Sequence, residues 1–200
     1  MRNIRNIVYL IAPKDFRDEE YFIPVKLLEQ FGSVVKTAST CQLRELAVGA
    51  LGGEAKIEAL AGSIKSSDFD ALVIAGGPGA LKYLDNEKIY SVIREFVKTG
   101  KLVAAVCIAP VILAHANVLQ GKKVTVWNTP LEQRPVKELA RAGALYLNQP
   151  VVVDGSIITA NGPEQAQKFG KAIIDWFGRA AETCHREAGS RSARNSDYPE

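Results

Sequence analysis

The sequence predicts an α/β domain, a three-layer sandwich in which helices cover both faces of a mostly parallel central sheet. Three observations carry that expectation. Short runs such as Ala71–Ala75 and Leu102–Val106 contain no polar residue, as strands buried on both faces require. Other segments, Glu19–Phe31 among them, place apolar residues three and four apart, the spacing of a helix with one buried side. The two kinds of segment alternate along the chain, which is the pattern of strand–helix–strand crossovers.

Taken in order, Ile7–Ala12 reads as the first buried strand, ended by Pro13. Glu19–Phe31 is the first helix, with Phe22, Ile23, Leu27, Leu28 and Phe31 on its apolar side and Gly32 placed to stop it. Ser33–Ala38 is strand-like. Gln42–Ser67, broken by Gly49, Gly52, Gly53 and Gly62, is expected to hold short strands and turns. The strand Ala71–Ala75 runs into Gly76-Gly77-Pro78-Gly79. Asn86–Thr99 reads as a helix capped by Gly100, Leu102–Val106 as a central strand, and Ala109–Ala116 as a helix with Pro110 in its first turn. Lys123–Trp127 is a strand and Leu131–Ala142 a helix ended by Gly143. Val151–Asp154 and Ser156–Ala160 form a hairpin about Gly155, and Pro163–Phe177 is a last amphipathic helix. From about Ala181 the chain turns polar. The expected organisation is one domain over 1–180 and a flexible polar tail over 181–200.

A chain of 200 residues buries enough surface to need no disulfide or metal staple. The net charge is +3 with basic residues scattered, and the densest basic stretch, Arg179–Arg194, also carries acids; no nucleic-acid partner is expected. Met1–Arg5 is polar and Ile7–Ala12 is too short for a secretory core or a membrane span, so no membrane partner is expected either. Cys41, Cys107 and Cys184 are an odd count without CxxC spacing, which suits free thiols in a reducing cytoplasm. His115 and His185 have no spacing to cysteines that would build a zinc site, and no metal or cofactor is expected.

The stretch Val103-Ala104-Ala105-Val106-Cys107-Ile108-Ala109-Pro110 carries the chemistry. A nucleophilic side chain ends a buried strand and a helix starts at once. Small residues two positions either side, Ala105 and Ala109, permit the close backbone approach of a nucleophile elbow. The helix N-terminus beneath Cys107 is expected to lower its thiol pKa; the bland alternative is an inert buried cysteine. The glycines at Gly76 and Gly77 allow a backbone amide to turn into a site at the strand edge, where with the amide of Ile108 it would form a two-donor oxyanion hole. Asp18-Glu19-Glu20 opens the first helix, where acids commonly act as caps. His115 lies eight residues beyond Cys107, about 12 Å along a helix, too far to act on the thiol.

These elements together resemble the ThiJ/PfpI superfamily, which includes the Parkinsonism-associated deglycase. The resemblance runs from Ile4 to about Phe177. Its carriers are Glu20 four residues before Pro24, the Gly76–Gly79 turn, Ala104–Pro110, Leu119–Thr125 and Val151–Thr159. It implies a flavodoxin-like fold and a homodimer. Cys107 becomes nucleophile or redox centre, Glu20 the protonated carboxyl that hydrogen-bonds its sulfur, and Gly77 and Ile108 the oxyanion donors. Two positions depart from the superfamily pattern. Members read as peptidases carry histidine directly after the cysteine, where Ile108 stands here; members similar to the human deglycase carry histidine on the strand after the elbow helix, where Trp127 stands. Trp127 is expected either to wall a pocket or to pack in the core.

The resulting expectation is a cysteine-dependent enzyme acting on small reactive carbonyl compounds, of glyoxalase or deglycase type. One alternative is a redox-sensing stress-response or chaperone-like protein with an oxidisable Cys107. The other, a cysteine peptidase or amidase, is disfavoured by the lack of a histidine beside the thiol.

Overall fold

The structure, a computed structural model, describes residues 4–179. The polar tail expected from Ala181, with Cys184 and His185, lies outside them.

The apolar runs form the strands that their composition requires. In chain order these are β1 (Asn6–Leu10), β2 (Lys14–Phe16), β3 (Val34–Ser39), β4 (Leu46–Gly49), β5 (Glu54–Lys56), β6 (Ala59–Leu60), β7 (Ala71–Ile74), β8 (Leu102–Val106), β9 (Lys123–Val124), β10 (Leu145–Tyr146), β11 (Val151–Asp154) and β12 (Ile157–Ala160). The helices are α1 (Asp18–Gln30), α2 (Ala80–Leu84), α3 (Glu87–Lys98), α4 (Pro110–His115), α5 (Arg134–Arg141) and α6, over 166–179. The main sheet has seven strands in the order β11-β12-β8-β7-β1-β3-β6. Every pairing in it is parallel except the hairpin β11–β12.

Alternate side chains of each central strand enter opposite cores, as the two-residue period of a strand demands. Val8 and Leu10 of β1, with Val103 and Ala105 of β8, pack against α3 and α4 through Ile93, Phe96, Ile112 and Leu113. Ile7, Tyr9, Leu102, Ala104 and Val106 face the other way, toward Leu28 of α1 and Phe169 and Ile173 of α6. The expected three-layer sandwich is therefore present. Among the described residues no helix is long and apolar enough to cross a membrane.

Several boundaries differ from expectation for reasons outside local sequence. Lys123–Trp127 pairs as a strand only at Lys123 and Val124. Beyond them Thr125 N donates to Thr159 Oγ1 at 2.8 Å and Trp127 N to the Cys107 carbonyl at 2.8 Å, so the chain is drawn along the elbow instead of along a ladder. The helix expected from Leu131 begins at Arg134, because Thr129 and Glu132 close a turn on each other and leave Leu131 99% exposed at its tip. Pro163–Gln165 is a single 3-10 turn before α6. Within 42–67, β4 and β5 pair antiparallel and are joined by β2 in a separate three-stranded sheet. Asp18 holds that sheet: its Oδ2 accepts from Leu51 N at 2.8 Å and its Oδ1 from Gly53 N at 2.7 Å.

Candidate active site

Cys107 stands one residue beyond β8 and three before α4. Its φ is +62°, a left-handed conformation that L residues adopt at a cost of order 1 kcal/mol or more and that surrounding contacts must hold. Here the backbone is pinned on both sides: Cys107 N donates to the Ala160 carbonyl at 2.8 Å, and the Cys107 carbonyl accepts from Trp127. The strand-to-helix elbow read from sequence is thus a strained turn with its side chain half-buried.

Glu20 is brought to the sulfur from the first turn of α1. Its side chain has no solvent exposure. One carboxyl oxygen, Oε2, accepts from Gly76 N at 2.9 Å, and the Tyr9 hydroxyl donates to the Glu20 main-chain carbonyl. The other oxygen, Oε1, has no conventional partner, and the group with which the carboxyl interacts is the Cys107 thiol. Gly76 is a glycine of necessity. A methyl group there would lie 2.7 Å from Cβ of Cys107, 2.8 Å from Oε2 of Glu20 and 2.8 Å from the Val106 carbonyl. Gly77 has φ +101° and sits against the backbone of Arg17, whose N donates to the Gly76 carbonyl at 3.2 Å. The N–H groups of Gly77 and Ile108 both reach the Cys107 sulfur, so the two expected oxyanion donors converge where charge would develop.

Electrostatics corrects one expectation. The thiol was expected to be acidified by the helix beneath it. Instead burial and the charge and hydrogen bonding of Glu20 push the Cys107 thiol up, and the two amides offset this only in part. Burial likewise raises the Glu20 carboxyl to about 7, against the opposing pull of the thiol, the Gly76 amide and the Arg17 charge. Both groups resist ionising together, so the pair holds at most one negative charge near neutrality. A thiol flanked by a carboxyl that titrates near 7 is suited to nucleophile formation on demand.

The site opens into a cavity of about 440 Å³ lined by Arg17, Glu20, Gly77, Pro78, Leu81, Cys107, Ile108, Trp127 and Pro163. Of the two readings of Trp127, the structure selects the pocket wall. Arg17, Leu81 and Pro163 were not singled out from sequence. Leu81 lies on α2, a helix too short to show a period, and Arg17 lies just before α1. His115 does not line the cavity. Its Nδ1 is 2.9 Å from Asp85 Oδ1 and its Nε2 3.3 Å from Glu138 Oε2, on the far side of α4. Among the described residues no group of three His, Cys, Asp or Glu side chains is placed to hold a metal ion.

With the elbow, the buried glutamate and the glycine turn in place, comparison with known proteins is decisive. The sequence model of the DJ-1/PfpI family matches residues 5–176. The chain belongs to the DJ-1/PfpI family. Among relatives within it, an uncharacterized protein of Methanocaldococcus jannaschii is 41% identical over 87% of this chain and 82% of its own length. A protein of Pyrococcus horikoshii named as a deglycase is 31% identical over 84% of this chain and 96% of its own. The crystal structure of a ThiJ/PfpI domain protein from Brachyspira murdochii superposes with a TM-score of 0.80 at 31% identity, covering 86% of this chain and 96% of that one. The DJ-1/PfpI fold therefore accounts for the flavodoxin-like arrangement and for the site's position at the carboxyl edge of the central strands.

Proposed function

We propose that the protein is a cysteine-dependent enzyme of small reactive carbonyl compounds, with an α-oxoaldehyde such as methylglyoxal as the type substrate. One observation carries the proposal: a strained cysteine and a fully buried carboxyl raised to about 7 share one small cavity with two amides aimed at the sulfur. The deglycase name of the Pyrococcus horikoshii relative is in keeping with it.

Each step uses groups already in contact. Glu20 takes the thiol proton as the sulfur adds to the aldehyde carbon, forming the S–C bond, and the new alkoxide accepts from the N–H groups of Gly77 and Ile108. The Glu20 proton then passes to that oxygen, giving a hemithioacetal. Glu20 next removes the hydrogen of the former aldehyde carbon as a proton, leaving an enediolate, in which a proton moves from the hydroxyl on the sulfur-bearing carbon to the oxygen of the former ketone. Reprotonation at the neighbouring carbon converts the former ketone into an alcohol and the sulfur-bearing carbon into a thioester. Water cleaves the thioester, releasing lactate and restoring the thiol. One carbon is oxidised, its neighbour is reduced, and the net change is addition of one water, so no external oxidant or reductant is consumed.

The purified protein should convert methylglyoxal to lactate, and Cys107→Ala should reduce turnover at least a thousandfold, as loss of a covalent nucleophile does. Lactate formation by Cys107→Ala at a comparable rate would overturn the proposal. The peptidase reading lacks its base: His115 is committed to Asp85 and Glu138, and Ile108 and Trp127 fill the positions where family members carry histidine.

A further inference from the structure

Besides Cys107, Glu20 and the two amides, the cavity is lined by Pro78, Leu81, Ile108, Trp127 and Pro163, none of which carries a charge, and by Arg17, which does. Its position is fixed twice. The Arg17 main chain is tied to the Gly76 carbonyl and fills the space against Gly77, so its Cα is locked to the turn that carries the oxyanion donors. Its side chain is held by Glu19: Nη2 donates to Oε1 at 3.2 Å, and Nε lies 2.8 Å from Oε2 as an ion pair without hydrogen-bond alignment. That pairing engages one donor as a hydrogen bond and leaves the buried Nε without one. A guanidinium offers five donors, so donors remain toward a ligand.

Filling so small a cavity with a neutral, apolar molecule would strip water from those donors and supply nothing in return, a loss comparable to a broken charged hydrogen bond. A carboxylate would satisfy them. We propose that Arg17 makes this site selective for aldehydes that also carry a carboxylate, by placing a guanidinium in the same cavity as the Cys107 sulfur. This selectivity rests on the carbonyl reading of the site, and it makes glyoxylate and other short aldehyde acids better ligands of the cavity than neutral aldehydes of equal size. Glu19 acts as a positioning residue that holds the guanidinium; it touches no reacting atom.

The test uses charge at constant shape and needs no turnover. Rates of Cys107 alkylation by iodoacetate and by iodoacetamide are measured at pH 6, where Glu20 is mostly protonated, with peptide mapping to confirm the site. In the wild-type protein the iodoacetate-to-iodoacetamide rate ratio should exceed that of free cysteine in the same buffer. Arg17→Gln should lower the ratio about tenfold, the worth of a charge-assisted hydrogen bond, while Arg17→Lys keeps most of it. Glyoxylate should protect Cys107 from iodoacetamide better than its neutral counterpart glycolaldehyde, and Arg17→Gln should abolish the difference. A wild-type ratio no higher than that of free cysteine overturns the proposal without recourse to any variant, and so does an Arg17→Gln protein whose two rates fall in parallel. Failure of the carbonyl reading shows separately, as a wild-type protein with the expected ratio that forms no lactate from methylglyoxal.

Discussion

Replacing Glu20 by glutamine should change how stability depends on pH, by an amount the structure sets. The carboxyl is fully buried and its pKa is raised from 4.5 to about 7, chiefly by desolvation. Between those values the folded protein holds a proton on Glu20 that the unfolded chain has released. Stability from this group is therefore complete below pH 4.5 and declines as pH rises, levelling off above 7. Each unit of pKa difference corresponds to about 1.4 kcal/mol, so the wild-type protein should lose about 3 kcal/mol from this group between pH 4.5 and 8. Glutamine does not ionise and can still accept from the Gly76 amide. Urea unfolding of wild type and Glu20→Gln at half-unit pH steps provides the measurement, and the difference between the two curves removes the titrations they share. The gap should shift toward the variant by about 3 kcal/mol with a midpoint spanning 4.5 to 7. Parallel curves would refute the reasoning, because they would mean that Glu20 is solvated or paired with a cation in the folded state.

Two further outcomes follow from close contacts. Gly76→Ala would force a methyl group against Cys107 and Glu20 and should cost about 1–3 kcal/mol, as overpacking of a tight interior does, together with most of the thiol's reactivity; urea unfolding and iodoacetamide labelling check both. Asp18→Ala would leave the Leu51 and Gly53 amides without their acceptor and should cost about 2 kcal/mol or more, with faster hydrogen exchange confined to 49–53 and little change at Cys107.

The elbow and the glycine turn were legible in sequence because their chemistry is local. A nucleophile between small residues at a strand-to-helix junction needs no knowledge of distant partners, and the same holds for glycines that follow a buried strand. The acidic triplet was not legible in that way. Asp18, Glu19 and Glu20 read together as helix caps, yet consecutive residues on a helix point about 100° apart and meet different surroundings. Asp18 turns to the 49–53 loop, Glu19 to Arg17, and Glu20 to the sulfur. Only resemblance to a family distinguished the third from the others. Arg17 lay beyond reach for a related reason: it precedes the helix, and what places it in the cavity is a contact with Gly76 and Gly77, some sixty residues later. The small sheet of β2, β4 and β5 was blurred because its strands of three or four residues gain stability from pairing across the fold rather than from their own composition.

The same physics bears on the two missing histidines. An imidazole near the sulfur would offer a base, but when protonated it would also place a positive charge beside Glu20 and hold the carboxyl in its ordinary acidic range. Trp127 and Ile108 both line the cavity and bring no charge to it. Desolvation then raises Glu20 to about 7, where it can both accept the thiol proton and return it to an alkoxide at neutral pH. On the proposed reading, the absence of a histidine at these two positions leaves a lone carboxyl to act as the proton carrier. Arg17 limits how far this goes, since its charge draws the Glu20 pKa down and its pairing with Glu19 moderates that pull. On the proposed reading, proton transfer at the sulfur and recognition of an anionic substrate are coupled through one guanidinium. On the proposed reading, a carboxylate bound at Arg17 would offset its charge, push the Glu20 pKa further up and make the ionised carboxylate a stronger base toward the thiol proton.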